Sequence, residues 1–360
     1  MLWLLLFAPL ALILEHTGAP APAIFFCAAI AIVPIASLIV RATESIAHVT
    51  GPAIGGLLNA TFGNLPEMII ALVALHAGMV EMVRASVIGA LLANLLLGLG
   101  MSFLLGGMRF HVQDYNPLAA RAYASMMFLA VISMAIPSAF HRFFGAEAGI
   151  PQSAILDKSV AVVLLLTYGL YLYHQLRTHK ESFAEEEKKG SGAAHGEASH
   201  EAIWSPARAG ATLLAASAGA AWLSEVLVGA AEATGHALGM SPTFIGLILL
   251  ASVGGAAEIG SAIAMGRRNK MDLSVGIALG SCIQIALFVA PLLVFLGGVI
   301  GPEPFTLSFT RGEMGFLLIS VLLGAMVASD GRSNWFKGVQ LLAVYAMLAA
   351  VCYLVPALAQ

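Results

Sequence analysis

The sequence predicts an all-α integral membrane protein of eleven transmembrane helices, built as an inverted 5+5 repeat with an additional N-terminal helix. Three observations predict it. Of 360 residues, 59% are hydrophobic and 10% charged, with a mean hydropathy of +0.91, whereas soluble domains carry about 25% charged residues. The apolar residues fall into eleven runs, near 2–14, 23–41, 53–78, 86–106, 118–138, 155–176, 207–232, 243–266, 273–299, 312–329 and 335–356. Most of them match the roughly 20 residues that cross a hydrocarbon core. A Gly-containing motif ending in Glu occurs once in each half, at equivalent runs. The lipid bilayer is thus the surrounding partner, and soluble enzymes and nucleic-acid binders are excluded; a net charge of −3 offers polyanions no basic face.

Taken in order, residues 1–22 form a helix and loop. Ala21-Pro22-Ala23 could mimic a cleavage site, but no Lys or Arg precedes the first run, so it reads as a retained helix rather than a signal peptide. Residues 23–176 make the first five-helix repeat. An interval at 177–206 carries Glu181, Glu185, Glu186, Glu187, Glu197 and Glu201 beside Lys180, Lys188 and Lys189, too polar for a membrane, and is expected as an acidic cytoplasmic linker. Residues 207–360 make the second repeat. With the linker inside, only Arg84, Arg142, Lys158 and Arg311 of the 17 Lys and Arg fall outside. That asymmetry places the N-terminus in the cytoplasm, and the compact chain suits a prokaryotic plasma membrane. Cys27, Cys282 and Cys352 lie apart within apolar runs, which reads as packing.

An odd number of spans per half makes the halves run in opposite directions. Gly63-Asn64-Leu65-Pro66-Glu67 answers Gly254-Gly255-Ala256-Ala257-Glu258; another acid follows 14 residues on (Glu81, Asp272) and a Gly 22 residues on (Gly89, Gly280). Inverted repeats are the architecture of secondary transporters, with the substrate site at the midplane between broken helices. An acid at that depth costs roughly 2.5–3.5 kcal/mol on insertion scales, which packing alone does not require. The Gly and Pro residues before Glu67 and Glu258 weaken the helices and free carbonyls beside the carboxylates. Carboxylates, the Asn64 amide and free carbonyls make a hard-oxygen set that suits Ca²⁺ and admits Mn²⁺ or Na⁺. Two carboxylates at low dielectric are relieved by protons or by a divalent cation, so the two compete, and a site that crosses only when neutralised exchanges one for the other.

Asn94 and Gln284 lie in the runs after the two motifs and can serve as cavity-wall amides or as glue between helices. Glu225 and Glu232, seven residues apart, share a helix face; Glu225 is a pathway candidate, and Glu44 a residue of the entrance. The histidines at 48, 76, 111, 141 and 236 fall near span ends as interface residues. Glu185-Glu186-Glu187 has no EF-hand pattern and is offset by Lys188 and Lys189, so it reads first as a solvated face and second as a regulatory Ca²⁺ site.

The runs GPAIGGLLNATFGNLPEMIIALVAL at 51–75 and KMDLSVGIALGSCIQIALFVAP at 270–291 resemble the two signature repeats of the calcium/proton exchanger (CAX) family, within the calcium/cation antiporter superfamily. LLLGLGMSFLLGGMRF at 95–110, LSEVLVGA at 223–230 and FIGLILL at 244–250 extend the resemblance over nearly the whole chain. It implies a Ca²⁺ site at Glu67 and Glu258, gate-region polar residues at Asn94, Ser281 and Gln284, an acidic cytosolic helix near Glu181 to Glu187, and no enzymatic activity. The second family repeat usually reads GNAAEH; here it reads GGAAEI, with Gly255 where the family has Asn and Ile259 where it has His, and Pro66 replaces a small residue in the first. The expected function is therefore antiport of cytosolic Ca²⁺ against H⁺. The alternatives are exchange of Na⁺, Mn²⁺ or K⁺, or Na⁺-coupled Ca²⁺ exchange. A channel is disfavoured by paired carboxylates on inverted repeats. An intramembrane hydrolase is disfavoured because Glu replaces the Asp pair such chemistry would use and no HExxH motif occurs.

Overall fold

The computed structural model describes residues 2–50, 55, 58–59, 61–178 and 204–354, nearly all helical. In chain order α1 is Trp3–His16, α2 Ala21–Thr50, α3 Leu65–His76, α4 Val80–Phe110, α5 Pro117–Phe144, α6 Gln152–Arg177, α7 Pro206–Leu238, α8 Pro242–Gly254, α9 Ala256–Gly266, α10 Met271–Ile300, α11 Arg311–Ala328 and α12 Trp335–Leu354. Eight of these are long and apolar enough to cross a membrane, and α8 with α9, bent by 59°, makes a ninth, broken span. The remaining two runs of the expected eleven appear as the shorter helices α1 and α3; α3 is short because a turn at Gly63-Asn64 interrupts its run. Glu181, Glu185, Glu186 and Glu187 lie outside the described residues.

Local chemistry sets the helix ends. Asn116 caps α5 by accepting from the amides of Leu118 and Ala119, with Pro117 in the first turn. Ser205 and Ser241 do the same for α7 and α8, each followed by Pro. Thr310 and Glu313 form a capping box on α11, and Gly239, at φ +66°, ends α7 in the left-handed conformation.

Helical bonding continues from Pro117 to Tyr173, yet His141 Nε2 lies 3.0 Å from Asp157 Oδ2. Sixteen residues of straight helix would separate them by about 24 Å, so α5 and α6 fold back on each other as two spans. Asp157 is 2% exposed. Asp157→Asn is expected to lower stability by about 1–3 kcal/mol, read as a lower unfolding temperature of the purified protein, with transport retained.

Loops of both halves meet at each end of the bundle. At one end β1 (Val112–Asp114) pairs antiparallel with β2 (Arg332–Asn334); Gln113 Nε2 donates to Gly266 O and Asn269 Oδ1, both at 2.9 Å, and Arg109 donates to Arg267 O at 3.2 Å. At the other end Arg84 donates to Ser308 O at 2.9 Å, Ser138 donates to Leu307 O and accepts from the Phe309 amide, and His76 Nδ1 lies 3.3 Å from Ile300 O. Apolar packing divides into two main cores. One fills the space among α4, α5, α6, α10, α11 and α12 around Leu91, Leu95, Leu99 and Phe103; the other joins α1, α2 and α7 around Phe25, Ile32, Leu223 and Leu227.

Candidate cation site at two helix breaks

Each half carries one break beside a Glu. In the first, the turn at Gly63-Asn64 precedes α3, which opens with Pro66 near its N-terminus and Glu67 in its first turn; Pro costs no hydrogen bond there. In the second, α8 ends at Gly254, Gly255 has φ −78° and ψ 10°, and α9 opens with Glu258 in its first turn. The C-terminus of α3 lies beside Ile300, whereas that of α9 meets Arg109 at the opposite end of the bundle. The two half-helices therefore run apart with their N-termini inside. Unpaired N–H groups and the positive dipole end favour a carboxylate in the first turn of each.

The breaks meet across the repeats. Asn64 Nδ2 donates to Gln284 Oε1 on α10, and a Cβ at Gly63 would sit 3.7 Å from that oxygen. Gly254 lies against Glu67: a Cβ there would be 3.0 Å from Glu67 Cγ and 3.6 Å from its Cα. A Cβ at Gly255 would be 3.5 Å from Asn94 Nδ2. Gly254, one turn before Glu258, thereby puts the two glutamate breaks side by side, and Ser281 is buried on α10 one turn before Gln284. Asn94 lies in a π-helical stretch, Ala93–Gly98, and Gln284 immediately precedes another, Ile285–Val289. Such wide turns shift side-chain register and concentrate at functional sites.

The structure thus brings Glu67, Glu258, Asn64, Asn94, Gln284, Gly63, Gly254 and Gly255 into one cluster. Glu225 and Glu232 share an exposed face of α7, and Glu44 is exposed on α2. A narrow cavity runs from Glu67 along Ser86 and Ala90 of α4 to Val289 of α10. Among the described residues no three His, Cys, Asp or Glu side chains are placed to share a metal, so the donors on offer are two carboxylates and neighbouring amides.

Burial decides what these donors can do. Asn64 and Asn94 are each 1% exposed and Glu258 9%. Glu67 Oε1 and Oε2, Glu258 Oε2, Asn64 Oδ1 and Asn94 Oδ1 are all shut off from solvent without a hydrogen-bond partner. Buried oxygens in folded proteins are nearly always paired, and an unpaired buried carboxylate is costly. Five orphaned oxygens at two facing helix breaks are what a cation, or protons, would satisfy.

Two buried acids lie outside this cluster and were not singled out by sequence. Glu313, 4% exposed, closes the α11 capping box; the Thr-x-x-Glu pattern at 310–313 carried that signal. Asp157 pairs with His141, so His141 is more than an interface histidine. No local spacing reveals a pair made by a helical hairpin.

A membrane-embedded, all-helical fold whose halves present inverted broken helices to each other is that of a secondary transporter. The chain belongs to the sodium/calcium exchanger protein family, whose model matches residues 20–177 and 208–354. It is 39% identical over 369 aligned positions to a Ca(2+)/H(+) antiporter of Synechocystis sp., covering 99% of this chain and 97% of the relative. To the Ca(2+)/H(+) antiporter ChaA of Bacillus subtilis it is 39% identical over 342 positions, covering 95% of each. The solved structure of native YfkE superposes with a TM-score of 0.82 at 35% identity, covering 98% of this chain and all of that one.

Proposed function

We propose that this protein exchanges cytosolic Ca²⁺ for H⁺ by alternating access, with Glu67 and Glu258 binding either one cation or protons. The observation that carries the reading is the set of five buried, unpartnered oxygens at the two breaks. Ca²⁺ takes six to eight oxygen ligands, so these oxygens, freed carbonyls and water make a sufficient shell. Asn64 and Asn94 supply neutral oxygens, Gln284 holds Asn64 in place, and Ser281 belongs to the gate region. Gly63, Gly254 and Gly255 leave room at the breaks, while Glu225 and Glu44 line the approach. Because protons and the cation use the same two carboxylates, occupation by one displaces the other. The names of the relatives support the same pair of substrates. The Lys and Arg distribution supports a cytoplasmic N-terminus, and the long apolar helices support a multi-pass position in a membrane.

The test is flux in vesicles holding the purified protein. Acid-inside vesicles should accumulate Ca²⁺ against its gradient, and a protonophore should stop the accumulation. Uptake driven by a Na⁺ gradient and indifferent to pH would overturn the proton-coupled reading. The linker is assigned a solvated rather than a regulatory part. Replacing Glu185, Glu186 and Glu187 together with Gln is therefore expected to move half-maximal Ca²⁺ by no more than about twofold, as for exposed charges generally. Complete loss of flux in a folded triple variant would reverse that assignment.

A further inference from the structure

Nothing in the backbone demands glycine at 255. Its φ of −78° suits any residue, and an added Cβ would meet Ala251 O at 3.4 Å, Asn94 Nδ2 at 3.5 Å and Ile259 Cδ1 at 3.7 Å, all ordinary contacts. Gly254 is different, since a Cβ there presses on Glu67 at 3.0 Å. Two adjacent glycines therefore answer to different constraints: one makes room for the carboxylate, and the other leaves a side chain out.

What is left out can be read from the other repeat. Asn64 and Gly255 each stand three residues before their Glu. Asn64 reaches across to Gln284, which stands 26 residues beyond Glu258; the residue 27 beyond Glu67 is Asn94. Asn94 stands one residue past the equivalent offset but faces position 255 as Gln284 faces Asn64, and position 255 is the counterpart of Asn64. One bridge is made, through Asn64 Nδ2, leaving Asn64 Oδ1 for a ligand. The other bridge has lost its first member. Asn94 Nδ2 turns back to Ala90 O of its own helix at 3.1 Å, and its Oδ1 is buried without a partner.

We infer that Gly255 is the position that sets cation discrimination in this exchanger: it withholds one side-chain oxygen from the second repeat, so a bound divalent cation keeps a solvent ligand beside Asn94. The inference rests on the reading of Glu67 and Glu258 as the cation's carboxylates. A fixed shell with more protein oxygens favours Ca²⁺, which accepts six to eight, over smaller ions that keep their waters. A shell completed by solvent adapts to either, so the parent protein should separate Ca²⁺ from Mn²⁺ only weakly. An amide at 255 would repeat the Asn64 arrangement, its Nδ2 donating to Asn94 Oδ1, which has no partner and keeps a second lone pair, and its own Oδ1 left for the cation.

The experiment measures Ca²⁺ and Mn²⁺ binding to the full-length purified protein by titration calorimetry, together with exchange in vesicles. Gly255→Asn is expected to bind Ca²⁺ about tenfold more tightly, the scale on which a fixed oxygen replaces an ordered water. Its Ca²⁺-over-Mn²⁺ ratio should rise in step, and its maximal exchange rate should fall as release slows. Gly255→Ala supplies the Cβ without the oxygen and should gain none of the tightening. Adding Asn94→Ala to Gly255→Asn should remove most of the gain. A folded Gly255→Asn protein that binds Ca²⁺ no more tightly than the parent, or Gly255→Ala matching it, overturns the inference. Should Gly255→Asn not fold, Gly255→Ser carries an oxygen on the same Cβ and is held to the same outcomes. Failure here is separable from failure of the function itself: if Glu67→Gln and Glu258→Gln bind Ca²⁺ as the parent does, the carboxylate reading falls first. If they lose binding while Gly255→Asn gains nothing, only the present inference falls.

Discussion

Glu67→Gln and Glu258→Gln are each expected to abolish proton-driven Ca²⁺ exchange while leaving a protein that inserts and folds. The amide keeps the volume of the carboxyl and removes only its charge. Two unit charges 4 Å apart at an effective dielectric constant of about 20 attract by about 4 kcal/mol, roughly three orders of magnitude in binding, and a divalent ion loses more. Neither variant introduces a clash, because each Glu already lies in the first turn of a half-helix. The measurement is Ca²⁺ uptake into acid-inside vesicles, with thermal unfolding of the same preparations as the control for folding. Near-normal uptake by either variant would remove the paired-carboxylate mechanism.

Gly254→Ala is expected to have the second largest effect, although it changes no charge. Its Cβ would sit 3.0 Å from Glu67 Cγ and 3.6 Å from Glu67 Cα, so the carboxylate must move away from the second repeat or the two breaks must part. Overpacking of this kind costs about 1–3 kcal/mol, and here it falls on the carboxylate proposed to hold the cation. A loss of exchange of about tenfold or more is expected, with Ca²⁺ binding weakened in parallel. A folded Gly254→Ala protein that transports like the parent would show that Glu67 does not depend on this close approach.

The two glutamates were legible in the sequence because an acid inside an apolar run has few structural explanations. Their pairing was legible because Glu81 and Asp272, and Gly89 and Gly280, recur at equal offsets. What sequence could not show was direction around each helix. The difference between Gly254 and Gly255 is one of which neighbour each faces, Glu67 or Asn94, and no spacing within one repeat encodes that. The π-helical stretches at 93–98 and 285–289 add to the difficulty by rotating everything after them off the regular helical period. Run boundaries were shifted for a related reason: α2 continues through Arg41 and Glu44 to Thr50, because a helix needs no apolar residue once its end leaves the hydrocarbon. Asp157 is not legible in the sequence because its hydrogen-bonding partner His141 comes from the preceding span. The gathering of both halves at each end of the bundle, by contrast, follows from the parity of the spans, and it is seen in the Arg84–Ser308 and Gln113–Gly266 contacts.

The opposed half-helices also bear on how the protein behaves as an electrical device. α3 and α9 leave their breaks toward opposite ends of the bundle, so their peptide dipoles oppose each other while both present positive ends to the breaks. The permanent field they impose on an ion at the proposed site between Glu67 and Glu258 therefore has little slope from one face to the other. A cation arriving from either side meets nearly the same potential, and nothing in this pair of helices rectifies the current. Direction is left to the two concentration gradients, because a site that crosses only when its two carboxylates are neutralised carries no net charge. An exchanger built this way is a reversible coupling between two ion pools, and reversing the gradients reverses its output.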